Sequence, residues 1–346
     1  MKNPWKTVLA VALGLTAGTA VADQIRLTTE DHALFGRIVS MSPEQVEINV
    51  TGKNAGIRKV SVNEISALYL EDEPESLQNA QKAMLHGDFD DAADYLKKLT
   101  DADVKTPEMG VEIDYCKAYC AGQLALAGNG SMTEAGRQVL GFLKEHPTSY
   151  HYYQANELVG NLLVAAGAID KAEPYYAILA KAPWPDFQMR AKVAMGRGLL
   201  AMGKTAEADK AFDEVMENTS TSDLAEGQRM MAKIGKSRCL VSNGKSAAAV
   251  KNLQEIIVAA NADNVELHAL AYNALGTALR KEAKPMDALL AFLHVDLLYS
   301  NNPEAHAEAL ANLEQLFNEI HKPDKARRIR AVLDDRYKDS RWAKMK

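Results

Sequence analysis

Cysteine is scarce in this chain, with three residues in 346, at positions 116, 120 and 239. That is too few, and odd in number, for the disulfide framework that staples many small exported domains. Cys116 and Cys120 stand four apart, so on a helix they share a face, and a bridge at that spacing would be strained. Small buried apolar side chains are the reading for all three; a bridge to Cys239, or a metal site with a nearby histidine, is the alternative. Proline (11) and glycine (21) are also sparse, which excludes a linker-dominated chain. After the first 22 residues no run is apolar enough to span a bilayer, which takes about 20 residues. Basic residues are outnumbered 40 to 46, for a net charge of −6. That argues against nucleic acid as a general partner.

Motifs that carry chemistry are lacking too. The eight histidines contain no H-E-x-x-H, and His146 and His151 are separated by Pro147, so no metal is expected. There is no G-x-S-x-G elbow. The acid pairs Asp90-Asp91 and Asp334-Asp335 are adjacent and would point apart on a helix, unlike paired catalytic carboxylates. One match needs a decision: Gly198-Leu199-Leu200-Ala201-Met202-Gly203-Lys204-Thr205 satisfies the phosphate-loop pattern G-x-x-x-x-G-K-[ST]. A phosphate loop follows a strand, whereas Met189 to Met202 has helical periodicity, and Gly244-Lys245-Ser246 recurs one repeat later. A turn between helices accounts for both. The chain is therefore read as non-catalytic and without a cofactor.

What is present begins with a leader. Lys2 and Lys6 flank a short basic start, Thr7 to Gly18 is apolar or small, and Ala20-Val21-Ala22 forms an A-x-A site before Asp23. This is the pattern of a secretory signal peptide over 1–22. Cleavage near Ala22 would remove two lysines, taking the net charge from −6 to −8, and would leave an exported, soluble, periplasmic or secreted product.

From Asp23 to about Leu70 the pattern has period two and is rich in β-branched residues. It predicts strands over 24–29, 33–40, 45–51, 57–62 and 66–70, with turns at Glu30-Asp31, Ser42-Pro43 and 52–56. Five short strands in so few residues suggest a small all-β barrel over 23–72, because an open sheet would leave exposed edges. With its phrase Val60-Ser61-Val62-Asn63-Glu64-Ile65, this part resembles the SH3-like and Sm-like small barrels of bacterial envelope proteins.

From Glu75 onward the apolar positions recur at three and four, as in helices. A unit repeats: a turn with Gly or a small residue, a small residue five later, and a bulky one four beyond that. Gly87/Ala92/Leu96, Gly167/Ala172/Tyr176, Gly203/Ala208/Phe212, Gly244/Ala249/Leu253 and Ala283/Ala288/Phe292 are the clear copies. Ala135 with Val139 and His321 with Ala326 are weaker ones. Successive alanines lie 36 to 43 residues apart. The best unit, Tyr272-Asn273-Ala274-Leu275-Gly276-Thr277-Ala278-Leu279 with Ala288, Phe292 and Pro303, resembles the tetratricopeptide repeat. The unit from Tyr153 with Gly160, Leu163, Gly167, Ala172, Tyr176 and Pro183 is similar to it. The spacing exceeds the usual 34, and most copies lack the large aromatic of the first helix. Physically, small residues let the paired helices approach, and the bulky residue fills the gap to the next unit. The expectation is a mainly α fold, a solenoid of six or seven helix pairs over 73–340, with a tail over 341–346. Asp170 is expected as the N-cap of a helix over 171–181. Pro285 and Pro323 should start second helices, and Pro147, Pro183, Pro185 and Pro303 should lie between units.

The resemblance also implies a function. Such repeats meet their ligands on the inner face of the first helices, and the corresponding positions here are Glu157, Asn161, Arg190, Arg197, Arg238, Asn273, Arg280 and Lys281. Arg190 and Arg197 are seven apart and share a face. A basic stripe inside an acidic protein suits an acidic segment or a chain-terminal carboxylate. The reading is an envelope scaffold or adaptor that binds other proteins or peptides and is compatible with homo-oligomers. The alternative is a small-ligand or peptide-binding protein of the envelope.

Overall fold

The computed structural model describes residues 22–28, 32–52 and 55–345. Most of the expected leader, 1–21, lies outside them. Five strands form first: β1 Asp23–Leu27, β2 Leu34–Met41, β3 Gln45–Val50, β4 Gly56–Ser61 and β5 Ile65–Tyr69. Alternation places Ile25, Leu27, Val46, Ile48 and Val60 on one buried face. All pairings are antiparallel, in the order β4-β3-β2-β1-β5. The expected closed barrel is not seen: the sheet is curved but open. A single 3₁₀ turn, Val62–Glu64, carries the chain from β4 to the far side of β1, and among the described residues β4 does not pair with β5. Register shifts at Ile38/Ser40 and Arg26/Leu27 provide the curvature.

The sheet does not stand alone. Its apolar face forms one continuous core with Leu77, Ala80, Met109 and Ile113 of the helices that follow. The Asp23 carboxylate accepts hydrogen bonds from the Ile38 (2.6 Å) and Glu71 (2.7 Å) amides, fastening the start of β1 to β2 and to the exit from β5.

Fourteen helices follow among the described residues: α1 Glu75–His86, α2 Phe89–Leu96, α3 Pro107–Ala127, α4 Met132–Glu145, α5 Tyr152–Ala165, α6 Ile169–Leu179, α7 Pro185–Ala201, α8 Thr205–Met216, α9 Asp223–Ser242, α10 Ser246–Ala259, α11 Val265–Lys281, α12 Pro285–Leu298, α13 Pro303–Glu319 and α14 Pro323–Arg336. They make seven pairs. The seven alanines 92, 135, 172, 208, 249, 288 and 326 fall one on each second helix, and none is more than 3% exposed. The repeats exceed the usual length because several first helices are long, reaching 21 residues in α3 and 20 in α9.

The bulky residue after each alanine does more than bridge to the next unit. Tyr176 presses on Gly160, and Phe292 on Gly276, of its own first helix; an added Cβ would lie 2.6 and 2.7 Å from those rings. Phe212 is wedged between Gly196 of its own unit and Gly235 of the next. Ring against bare backbone sets the helix separation on both sides.

Other local expectations divide. Gly198–Gly203 spans the last turn of α7 and the turn into α8, with no strand before it, so the phosphate-loop match is a repeat turn. Pro285 and Pro323 open second helices as expected, but Pro185 and Pro303 open α7 and α13 rather than lying between units. Ala168, not Asp170, is the N-cap of α6; Asp170 sits in its first turn, where its charge favours the helix N-terminus. Five inter-helix turns use a left-handed glycine, whereas Ala283 (φ 56°) and His321 (φ 59°) adopt that conformation with a side chain. All three cysteines are buried and free.

The array closes on itself. The first helices α3, α5, α7, α9, α11 and α13 pack each on the next, and α13 returns against α3. At the seam the Asp339 amide donates to the Gly128 carbonyl at 3.0 Å. Ala127, Leu310, Leu333, Tyr337 and Ala343 form the apolar cluster beneath.

Two outcomes check this packing. Gly235→Ala should lower stability by about 1–3 kcal/mol through contact with Phe212, and Phe212→Leu in the same chain should cost less than the two changes added separately, read as thermal midpoints in a double-mutant cycle. Ala283→Gly should raise stability by about 0.5–1 kcal/mol because it relieves a left-handed alanine; an unchanged or lower midpoint would show that no such strain exists.

Candidate functional site

Ring closure turns the inner face of the first helices into an enclosed wall, and this wall holds the residues picked out by the repeat register. Glu157 and Asn161 come from α5, Arg190 and Arg197 from α7, Arg238 from α9, and Asn273, Arg280 and Lys281 from α11. Most are brought into one polar network. The Arg190 Nε donates to Glu157 Oε1 at 2.7 Å, and Glu157 holds the guanidinium firmly charged. Asn161 accepts from the Tyr176 hydroxyl at 2.8 Å. Lys281 is exposed at the end of α11.

The acids opposite these residues come from α13, which sequence reasoning missed. Glu308 takes Arg238 through two bonds, at 2.9 and 3.2 Å. Asn273, fully buried, donates to the Ala305 carbonyl at 2.8 Å and reaches Glu308 at 3.4 Å. Glu304 lies 3.6 Å from Arg197 and also takes Arg341 of the C-terminal tail at 2.9 Å. Arg280 donates to Gln315 at 2.7 Å and pairs with Glu319. The expected basic stripe is thus a ladder of alternating charge. A signal for it existed: Glu308 stands five residues after Pro303, the same register as Arg190 after Pro185.

The network is ordered yet reachable. Arg190 and Arg197 keep 42% and 43% of their side chains exposed despite their pairing, so part of each stays open to a ligand in the ring's interior.

No protein-family profile matches the chain, and no curated protein matches it. Solved structures do. NprR in complex with its cognate peptide NprX superposes with a TM-score of 0.55 at 16% identity, over 75% of this chain and 74% of that one. The apo quorum sensor NprR from B. thuringiensis gives 0.51 at 15% identity, over 75% and 74%. A tetratricopeptide repeat protein from Parabacteroides merdae gives 0.46 at 14% identity, over 76% and 92%. The fold is a tetratricopeptide-repeat-like solenoid.

A second polar cluster joins this solenoid to the sheet. Glu112 of α3 is 5% exposed; it accepts from the Tyr150 hydroxyl at 2.9 Å and lies 2.9 Å from His151 Nε2. Tyr115 stacks on the His151 ring at 3.4 Å. Burial alone would raise the Glu112 carboxyl, but His151, Tyr150 and Gln81 together hold it low. Its neighbour Glu73 behaves oppositely. It caps the Leu70 amide at 2.8 Å, and burial, outweighing that bond, raises it to about 8. Glu73 Oε2 and Gln81 Oε1 are both buried without partners; a proton on Glu73 gives that carboxyl a donor.

The sign follows from linkage. The folded chain retains a proton on Glu73 that the unfolded chain loses above the ordinary carboxylate value of 4.5. Stability is therefore fullest below that value and falls as pH rises through about 8. Glu73→Gln should remove this slope, so its midpoint should gain on the wild type between pH 5 and pH 9. Parallel melting curves for the two proteins would contradict this assignment.

Proposed function

We propose that this chain is a non-catalytic scaffold of the bacterial envelope that captures an extended segment of a partner protein along the inner face of its first helices. The observation that carries this reading is the ladder of ordered, half-accessible charges around Arg190 and Arg197. Ordered polar groups on a rigid wall bind at low entropic cost, and they can hold an extended chain through its side chains and peptide groups. The fold likeness to NprR with its cognate peptide NprX supports the same direction. The leader pattern of the first 22 residues supports export, and no helix among the described residues is long and apolar enough to cross a membrane.

The chemistry of the segment follows from the ladder. A purely acidic strand would compete with Glu157, Glu304, Glu308 and Glu319 for the arginines. A strand carrying both signs fits better, with its carboxylates at Arg190 and Arg197 and its cations at the glutamates. The open five-stranded sheet serves as the cap of the first helix pairs, its apolar face sharing their core.

A specific feature favours small-ligand binding as the second reading. A cavity of about 560 Å³ lies between the sheet and the solenoid, lined by Asp23, Arg37, Glu112, Glu145, His146 and Tyr150. That volume lies within the range of small-molecule sites.

Charge reversal of Arg197, Arg238 and Arg280 would break internal pairs as well as capture, so site-specific crosslinking is the cleaner test. A photo-crosslinking residue at Arg197 or Lys281 should trap a discrete partner in the native envelope, and the same residue at the exposed Lys251 of α10 should not. Equal labelling from both faces, or none from the inner positions, would overturn the proposal. A thermal shift with a small cationic molecule would then favour the cavity.

A further inference from the structure

Helix α12 differs from the other outer helices. A second helix of such a solenoid packs one face inward and shows a polar face to solvent. The outward face of α12 is apolar: Met286, Leu290, Leu297 and Leu298 are 54–71% exposed. Of the fourteen large apolar side chains exposed among the described residues, four fall on this helix of fourteen residues. The inward side is already satisfied by Ala288, Ala291, Phe292 and Val295 in the core. The stripe is surplus to the fold.

Its spacing tells what covers it. Met286, Leu290, Leu293 and Leu297 are separated by four, three and four residues, the spacing of a helical seam that receives another helix; Leu293 is half-buried against the chain's own core, and the other three are exposed. At about 100° per residue these four lie within roughly 60° of arc, the width one partner helix covers, and the exposed Leu298 lies on the flank beyond Asp287. We propose that this partner is α12 of a second copy of the chain, packed antiparallel across a two-fold axis near residues 291 and 292.

That arrangement is self-complementary. It stacks Met286 on Leu297 of the other copy and Leu290 on Leu293. It also sets the two polar flanking positions on the same side of the seam, Asp287 and His294, against each other across the axis. The His294 Nδ1 donates to the Leu290 carbonyl at 2.8 Å, and the ring stacks on Tyr272 at 4.6 Å. Its Nε2 edge is thereby turned away from its own helix, and as the imidazolium it donates through Nε2–H to Asp287 of the second copy. A parallel pairing would put the Asp287–His294 flanks of the two copies on opposite sides of the seam, where they do not meet. The interface is small, one helix from each side, so a micromolar dimer is expected rather than an obligate one. It leaves the inner face free.

Sedimentation velocity between roughly 1 and 100 μM should show a concentration-dependent shift to twice the protomer mass. Leu290→Glu with Leu297→Glu should leave a monomer at every concentration with its thermal midpoint kept, since both side chains are exposed. His294→Asp, which opposes two acids, should weaken the dimer about tenfold, and Asp287→His/His294→Asp should restore it. A wild-type monomer at 100 μM overturns the proposal. So does a dimer indifferent to the leucine substitutions, or one that the charge exchange does not rescue; the first two outcomes would leave the stripe to a different protein.

Discussion

The structure depends on a steric constraint: the absence of a side chain under an aromatic ring. Gly160 beneath Tyr176, Gly276 beneath Phe292, and Gly196 and Gly235 on either side of Phe212 let the helix axes approach until ring meets backbone. Any added carbon there would stand less than 3 Å from the ring. Because close-packed interiors transmit such displacements rather than absorb them, the separation of two helices at one glycine helps set the orientation of the next pair. Repeated over seven pairs, small errors would accumulate. The contact of α13 with α3 requires that they do not.

Closure in turn creates the electrostatics of the inner wall. Arg238 and Glu308 are 70 positions apart in the chain, and Arg197 and Glu304 are 107 apart. Both pairs join first helices that are not neighbours in the array. In the ring, each charge loses solvent on the side of its neighbours, and only an opposite charge compensates that loss. Glu304 faces both Arg197 and Arg341, so the C-terminal tail takes part in the same network as the proposed binding wall. The apolar seam under Tyr337 and this shared carboxylate tie the end of the chain to its beginning.

This explains what was legible in the sequence and what was not. The seven alanines, and the rings that follow three of them by four residues (Tyr176, Phe212 and Phe292), were readable because they report contacts within one hairpin, where sequence spacing equals spatial spacing. The strands were readable for the same reason: Val46 and Ile48 alternate with Glu47 and Asn49. The false phosphate loop at Gly198–Thr205 was resolved by periodicity alone. Glu157 and the register of Glu308 were within reach of the sequence, but which acid of α13 meets which arginine was not, because those pairings follow from the curvature of the whole solenoid. The openness of the sheet was missed for a related reason. Strand count suggests closure, but whether β4 meets β5 depends on how the sheet curls over Leu77 and Met109, which no strand encodes.

The apolar face of α12 and the charged inner wall can be understood as two uses of one geometry. A ring of helix pairs has an inner layer that must be polar if it is to stay open to a ligand, and an outer layer that must be polar if the chain is to stay alone. The inner layer here meets its condition with paired charges. The outer layer meets it on α14, where Asp324, Arg327 and Arg328 face outward in a polar sequence, and fails to meet it on α12. These helices belong to successive units, so the difference is not set by the repeat. A repeat constrains the small residue and the ring and leaves the outward positions free. Residues at those free positions that nevertheless follow a four-three-four apolar spacing report a second constraint, acting from outside the fold.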